Sequence, residues 1–205
     1  MPDKEVPAYY SQWVSSECIP AILTGEMHAA DDPRWAESGA TSVEEYARWA
    51  SHICGMACTK MLIEELRGER ATLFELLDRS REVGGYVVSE AGIKGLYYRP
   101  LVQLLKEHHA LNADVVEHVE AERLAIWLDE GHRVIASVHP TIRTPEQDPP
   151  QRGGHLVYLF GLDESGRLRY HNPSGLPGAS QADVRLAPSV FARFFAGRGI
   201  LIRRG

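Results

Sequence analysis

Along the first two-thirds of the chain, apolar residues recur at helical spacing. In the last third they gather into short runs bounded by turn residues. Val43, Tyr46, Ala47 and Ala50 share one face of a helix predicted to run to about Ser51. Ser42-Val43-Glu44-Glu45 is its capping box, with Ser42 as N-cap and Glu45 at the third position. Ala57, Met61, Leu62 and Leu66 mark a second helix ended by Gly68, and Thr72 caps a third that carries Leu73, Leu76 and Leu77 and stops at Gly84-Gly85. Residues 96–108 form another helix, with Pro100 tolerated in its first turn, and 122–130 one more, ended by Gly131. Two shorter features come earlier: a helix at 19–23 ended by Gly25, and a turn at 31–34 whose Pro33 opens a further short helix. Strands are expected at 113–118, 133–138, 155–162 and 167–171, with Asp163-Glu164-Ser165-Gly166 as the hairpin turn between the last two. Residues 139–154 are a polar, proline-bearing loop; 188–196 read as a last helix and 199–202 as a closing strand.

Helices first and strands last argue for an α+β fold with an antiparallel sheet, not for alternating βαβ units. At 205 residues, with no internal repeat, residues 1–205 fit a single domain large enough for a real core. The net charge of −6 gives no electrostatic footprint for nucleic acid, and no apolar stretch is long enough to span a bilayer. The N-terminal residues have no basic region followed by an apolar run, so no signal peptide is read there. Three cysteines, Cys18, Cys54 and Cys58, are too few and odd in number for a disulfide framework. They fit a reducing, cytoplasmic compartment in which Cys54 stays free to react.

The chemistry concentrates in three separated places. Cys54-Gly55-Met56-Ala57 stands at the start of the second main helix; Gly153-Gly154-His155 feeds a strand; Asn172-Pro173 follows another strand. A helix N-terminus directs unpaired N–H groups and a positive dipole end at the thiol, and a nearby imidazole would pair with the thiolate, both lowering the thiol pKa. His155 needs its second ring nitrogen held, and the side-chain carbonyl of Asn172 can accept from it. His171 and Asn172 alternate along a strand, so they point to opposite faces and only one can serve; Asn172 is the choice. Cys58, one turn beyond Cys54, reads as core packing. His52, Cys54 and Cys58 lack a fourth ligand at usual zinc spacing, so neither a metal nor a cofactor is expected.

These motifs, in this order, resemble the C39-like cysteine peptidases, a bacterial branch of the papain-like superfamily. Val6-Pro7-Ala8-Tyr9-Tyr10-Ser11-Gln12 is similar to the family's lead-in, Cys54-Gly55-Met56-Ala57 to its nucleophile motif, Gly154-His155-Leu156-Val157 to its base motif, and Asn172-Pro173 to its third member. The resemblance covers about Val6 to Ile202. It implies a papain-like fold, with the nucleophile at a helix N-terminus in a helical part packed on a C-terminal antiparallel sheet. It implies that Gln12 donates to the oxyanion together with the backbone N–H of Cys54. The chain departs from the family in three ways. Many residues separate Gln12 from Cys54, so residues 14–41 read as an insertion; Asn172 replaces the commoner Asp; and Met56 stands where Pro is frequent.

The implied activity is hydrolysis of a peptide or amide bond through Cys54, His155 and Asn172 and an acyl-thioester. The same thioester passed to an amine would make an acyltransferase or ligase, and the same fold without chemistry would be a peptide-binding module. The insertion and the loop at 139–154 are the expected rims of the substrate groove.

Overall fold

The computed structural model describes residues 5–204. Its centre is a six-stranded antiparallel sheet in the order β3-β8-β4-β5-β6-β7, built from β3 (Asn112–Val116), β4 (Arg133–Val138), β5 (His155–Leu162), β6 (Leu168–His171), β7 (Val184–Leu186) and β8 (Phe195–Arg203). A separate hairpin pairs β1 (Tyr86–Ser89) with β2 (Gly92–Gly95). The helices are α1 (Ile19–Thr24), α2 (Val43–Trp49), α3 (Cys54–Arg67), α4 (Leu73–Glu82), α5 (Tyr98–His109), α6 (Ala121–Asp129) and α7 (Pro188–Phe191). The architecture is α+β, with helices gathered N-terminally and an antiparallel sheet C-terminally.

Helices cover the sheet on both faces, which explains the nearly unbroken apolar run Leu156-Val157-Tyr158-Leu159-Phe160 of β5. Leu156, Tyr158 and Phe160 face the core shared with α3, α4 and α5, whereas Val157 and Leu159 join Leu124, Leu128 and Phe191 beneath α6 and α7. Ile200 and Ile202 against Leu201 divide β8 in the same way. Each central strand therefore buries apolar surface twice, at about 25 cal/mol per Å² of area removed from water.

Several boundaries differ from the sequence expectation. The helix predicted to 196 ends at Phe191, and β8 begins at Phe195, earlier than the expected 199. Pairing decides this: Phe195 already lies opposite Val138 in the ladder, and tertiary hydrogen bonding overrides local helical pattern. Short 3-10 turns follow α2 at Ala50–His52 and open the 139–154 loop at Pro140–Arg143. The turn around Pro33 is present, but the helix after it starts only at Trp35. At α2 the Ser42 hydroxyl accepts from the Glu45 N–H at 3.2 Å, while the Glu45 carboxylate bonds Thr41 rather than Ser42. The reciprocal box is complete at Thr72 and Glu75 instead. β1, β2 and β7 were not expected; they are short and mostly exposed or half-exposed, so their hydrophobic pattern is weak.

Residues 14–41 are tied down by one carboxylate. Asp32, 1% exposed, accepts from the Ser15 N–H and hydroxyl, the Tyr46 hydroxyl and the Arg34 N–H. Among the described residues it has no cationic partner within salt-bridge distance. Burial alone would raise its pKa; the donors from Ser15, Tyr46 and Arg34 outweigh burial and hold it below the ordinary carboxylate value.

Candidate active site

α3 begins at Cys54, and no side chain of the preceding residue, Ile53, caps it. The Ile53 carbonyl takes the Met56 N–H at 2.9 Å, so only the N–H groups of Cys54 and Gly55 are left for the start of the helix. The Cys54 sulfur, half-buried, receives the backbone N–H groups of Leu156 and Gly55. Leu156 follows His155, so the strand that carries the imidazole runs directly past the thiol.

His155 opens β5, where Val138 of β4 fixes its register. The two preceding residues, Gly153 and Gly154, have φ of 87° and 96°. Only glycine takes two such conformations in succession without strain, and this lets the loop turn sharply into the strand beside Cys54. The ring is 5% exposed. Its Nε2–H donates to Oδ1 of Asn172 at 2.8 Å and lies 3.1 Å from the Ser174 hydroxyl, which leaves Nδ1 toward the cleft.

Asn172 is fully buried just beyond β6. Its Oδ1 also accepts from the Ser174 N–H at 3.1 Å, and its own N–H donates to the Gln181 carbonyl at 2.8 Å. The Asn172 Nδ2 has no acceptor. His171 points elsewhere, bonding the Pro7 carbonyl through Nε2 and accepting from the Asp183 N–H through Nδ1.

Gln12 lies in the same cleft despite the residues between it and Cys54. Its backbone N–H donates to the Pro173 carbonyl at 3.0 Å, and the Tyr9 hydroxyl donates to the Asn172 carbonyl at 3.1 Å. The lead-in segment is thus fastened to the Asn172 turn. The Gln12 Nε2 donates to the Ala50 carbonyl at 3.0 Å, whereas its buried Oε1 has no partner. An amide nitrogen carries two N–H groups, so Ala50 occupies only one of them.

Cys54, His155 and Gln12 line one cleft of about 600 Å³. Ile22, Leu23, Met27 and His28 form one wall and Pro140 and Arg143 another, so both expected rims contribute. A depression of about 640 Å³ lies elsewhere, against Glu65, Arg133 and Arg204, with no cysteine or histidine in its lining. The first of these, which holds the thiol and the imidazole, is the candidate site.

Two neighbours were not anticipated. Ser174 bonds both His155 and Asn172, and the Arg143 guanidinium donates through Nη2 to the Ser174 hydroxyl at 2.8 Å. Asn172-Pro173-Ser174-Gly175 closes a turn, with the Gly175 N–H on the Asn172 carbonyl at 2.9 Å. Pro second and Gly fourth is a turn signature that the sequence did carry. Nothing in the polar loop singled out Arg143.

The electrostatics run opposite to one expectation. Burial pushes the Cys54 thiol up to about 11, although the N–H groups of Leu156 and Gly55 pull it down. Burial pushes His155 down to about 4; the bond to Asn172 opposes this, and the Arg143 charge adds to it. Both shifts favour the uncharged forms, thiol and imidazole. Desolvation here outweighs the hydrogen bonds to both groups, because the packing around them removes much of their water.

No family model matches the sequence, and no curated protein is similar to it. Solved structures do share its shape. The peptidase domain of Streptococcus ComA, a bifunctional ABC transporter involved in a quorum-sensing pathway, superimposes with a TM-score of 0.51 at 15% identity, covering 75% of this chain and 93% of that one. A putative C39-like peptidase from Bacillus anthracis gives a TM-score of 0.51 at 18% identity, covering 75% of this chain and 89% of that one. The chain has the papain-like fold of the C39 peptidase domains. Among the described residues no helix is long and apolar enough to cross a membrane.

Proposed function

We propose that the chain is a cysteine hydrolase acting on peptide or amide bonds. The observation that carries this reading is the cleft that holds the Cys54 thiol, the His155 ring and Gln12, with Asn172 fixing His155 from behind. The fold it shares with C39 peptidase domains is consistent with a peptide substrate.

In this reading a bound peptide excludes the remaining water and places its carbonyl carbon against Sγ. His155 Nδ1 takes the thiol proton as Sγ attacks, so charge separates only while the new bond forms. The resulting oxyanion accepts from the Cys54 N–H, at the first position of α3, and from the Gln12 amide. Asn172 holds the imidazolium through the other ring nitrogen. His155 then gives its proton to the leaving amine, which departs. A water attacks the thioester, with His155 again taking the proton, and releases the acid and the thiol.

A library of proteome-derived peptides, read by mass spectrometry for new termini, tests the reading. Wild type is expected to generate new termini and Cys54→Ala none. Equal cleavage by both proteins rules out the mechanism. The shift of both groups toward their uncharged forms favours one second reading, a peptide-binding module on the same fold. That protein would retain peptides on a column without cutting them.

A further inference from the structure

Arg143 is the cation of the cleft. It ends the short 3-10 turn Pro140–Arg143, whose Ile142 is wholly buried, so the turn is anchored and not a loose loop. Its Nη2 donates to Ser174, but its buried Nε has no partner. Among the described residues no carboxylate lies within salt-bridge distance of it. Other arginines withdrawn from water are neutralised: the half-buried Arg133 by Glu65 at 2.5 Å and the buried Arg169 by Asp183 at 2.7 Å. The cleft lining contains no Asp or Glu, although the whole chain carries a net charge of −6. Its charge reaches the site, since it lowers the pKa of both His155 and His139.

A half-buried guanidinium without a counter-ion is costly, and burial indeed lowers its own pKa. A planar fork of N–H donors with unused capacity matches a carboxylate. Its path to the base is short: Arg143 bonds Ser174, and Ser174 bonds His155.

We propose that Arg143 is a specificity-determining residue that binds a carboxylate on the substrate next to the scissile bond, with apolar groups seated on the wall formed by Ile22, Leu23 and Met27. This rests on the hydrolase reading for the word substrate, but not for the anion site itself. The carboxylate belongs either to an acidic side chain or to a free C-terminus.

Alkylation of Cys54 by iodoacetate and by iodoacetamide, at low ionic strength and pH 9, tests the anion site without turnover. The ratio of the two rates removes the thiol's own reactivity. In wild type, iodoacetate should be favoured over iodoacetamide about tenfold more than in a free cysteine peptide. Arg143→Gln should return the ratio to that of the free peptide, and Arg143→Lys should keep part of it. Equal ratios in wild type and Arg143→Gln overturn the proposal, and a uniform slowing with both reagents shows that Arg143 acts only by positioning Ser174. The peptide library distinguishes the sources: cleavage beside Asp or Glu marks a side chain, and loss of cleavage on C-terminal amidation marks a terminus. An Arg143-dependent ratio with no cleaved peptide sinks the hydrolase reading and leaves the anion site standing. Cleavage indifferent to carboxylates, with an unchanged ratio, does the reverse.

Discussion

The Nε2 of His155 stands 2.8 Å from the Oδ1 of Asn172, while the Nδ2 of the same amide faces no acceptor. One oxygen thus serves the ring, and the other end of the group is unused. Asn172→Ala should lower kcat/KM about tenfold to a hundredfold, the equivalent of about 1.5–3 kcal/mol for a bond to a group that becomes charged. Asn172→Asp should retain activity, because its second oxygen replaces an unpaired donor. Its charge favours the imidazolium, so the acidic limb of the kcat/KM profile should move to higher pH. An unmoved limb would show that Asn172 does not govern the base.

Folding lowers the His155 pKa from 6.5 to about 4, so the unfolded chain binds the proton first on acidification. Stability from this group is complete above pH 6.5 and is lost progressively as pH falls toward 4, by about 3 kcal/mol in total. Urea midpoints of wild type and His155→Gln, compared from pH 7 to pH 4, should differ most in their slope across this window. Parallel curves would contradict the burial effect on His155.

Alkylation of Cys54 by iodoacetamide should rise about tenfold per pH unit from pH 7 toward pH 10, because the thiol titrates at about 11. A plateau at neutral pH would reveal a resting thiolate. Cys58, wholly buried, should not react in the folded protein.

Gly175 has the Ser180 carbonyl and the Gln181 Cα against the place a Cβ would occupy. These are backbone atoms and cannot rotate aside. Gly175→Ala should destabilise by about 1–3 kcal/mol and disturb the turn that holds Ser174 and Asn172. The expected kinetic signature is a lower kcat even at temperatures where the protein stays folded; unchanged thermal midpoint and kcat would mean the turn has room to move.

Asp32→Ala leaves the hydroxyls of Ser15 and Tyr46 without their acceptor. A loss on the order of 3 kcal/mol is expected, with residues 14–41 loosened first. Hydrogen exchange should show faster amides there while α3 remains protected. Uniform acceleration across the chain would instead make Asp32 part of the global core.

Much of this arrangement was legible in the residues themselves. The helix at 73–82 carries a full capping box, the helix at 54–67 ends at Gly68, and both have regular apolar spacing, while the strands at 133–138 and 155–162 carry short apolar runs. Cys54, His155 and Asn172 could be singled out because each is flanked by glycine or proline that marks a turn into or out of an element. Gln12 could be placed only by resemblance, since its position depends on a bond to Pro173 far along the chain. The effect of burial on the thiol left no sequence signal, because helix polarity is visible in sequence, whereas exclusion of water depends on which elements pack around the sulfur. Arg143 left no signal at all: a lone arginine in a polar loop looks solvated until its missing counter-ion is seen.

The order of strands also dictates when this site can exist. β8, made last, is the wedge between β3 and β4, and Pro7, Tyr9 and Gln12 bond to the turn around residues 171–173. During synthesis a nascent chain would therefore present Cys54 long before its base and amide arrive. Until the residues through Ser174 are made, the half-made protein lacks the segment that seats His155 and Asn172 beside Cys54. Assembly of the cleft is thereby tied to residues far apart in the chain.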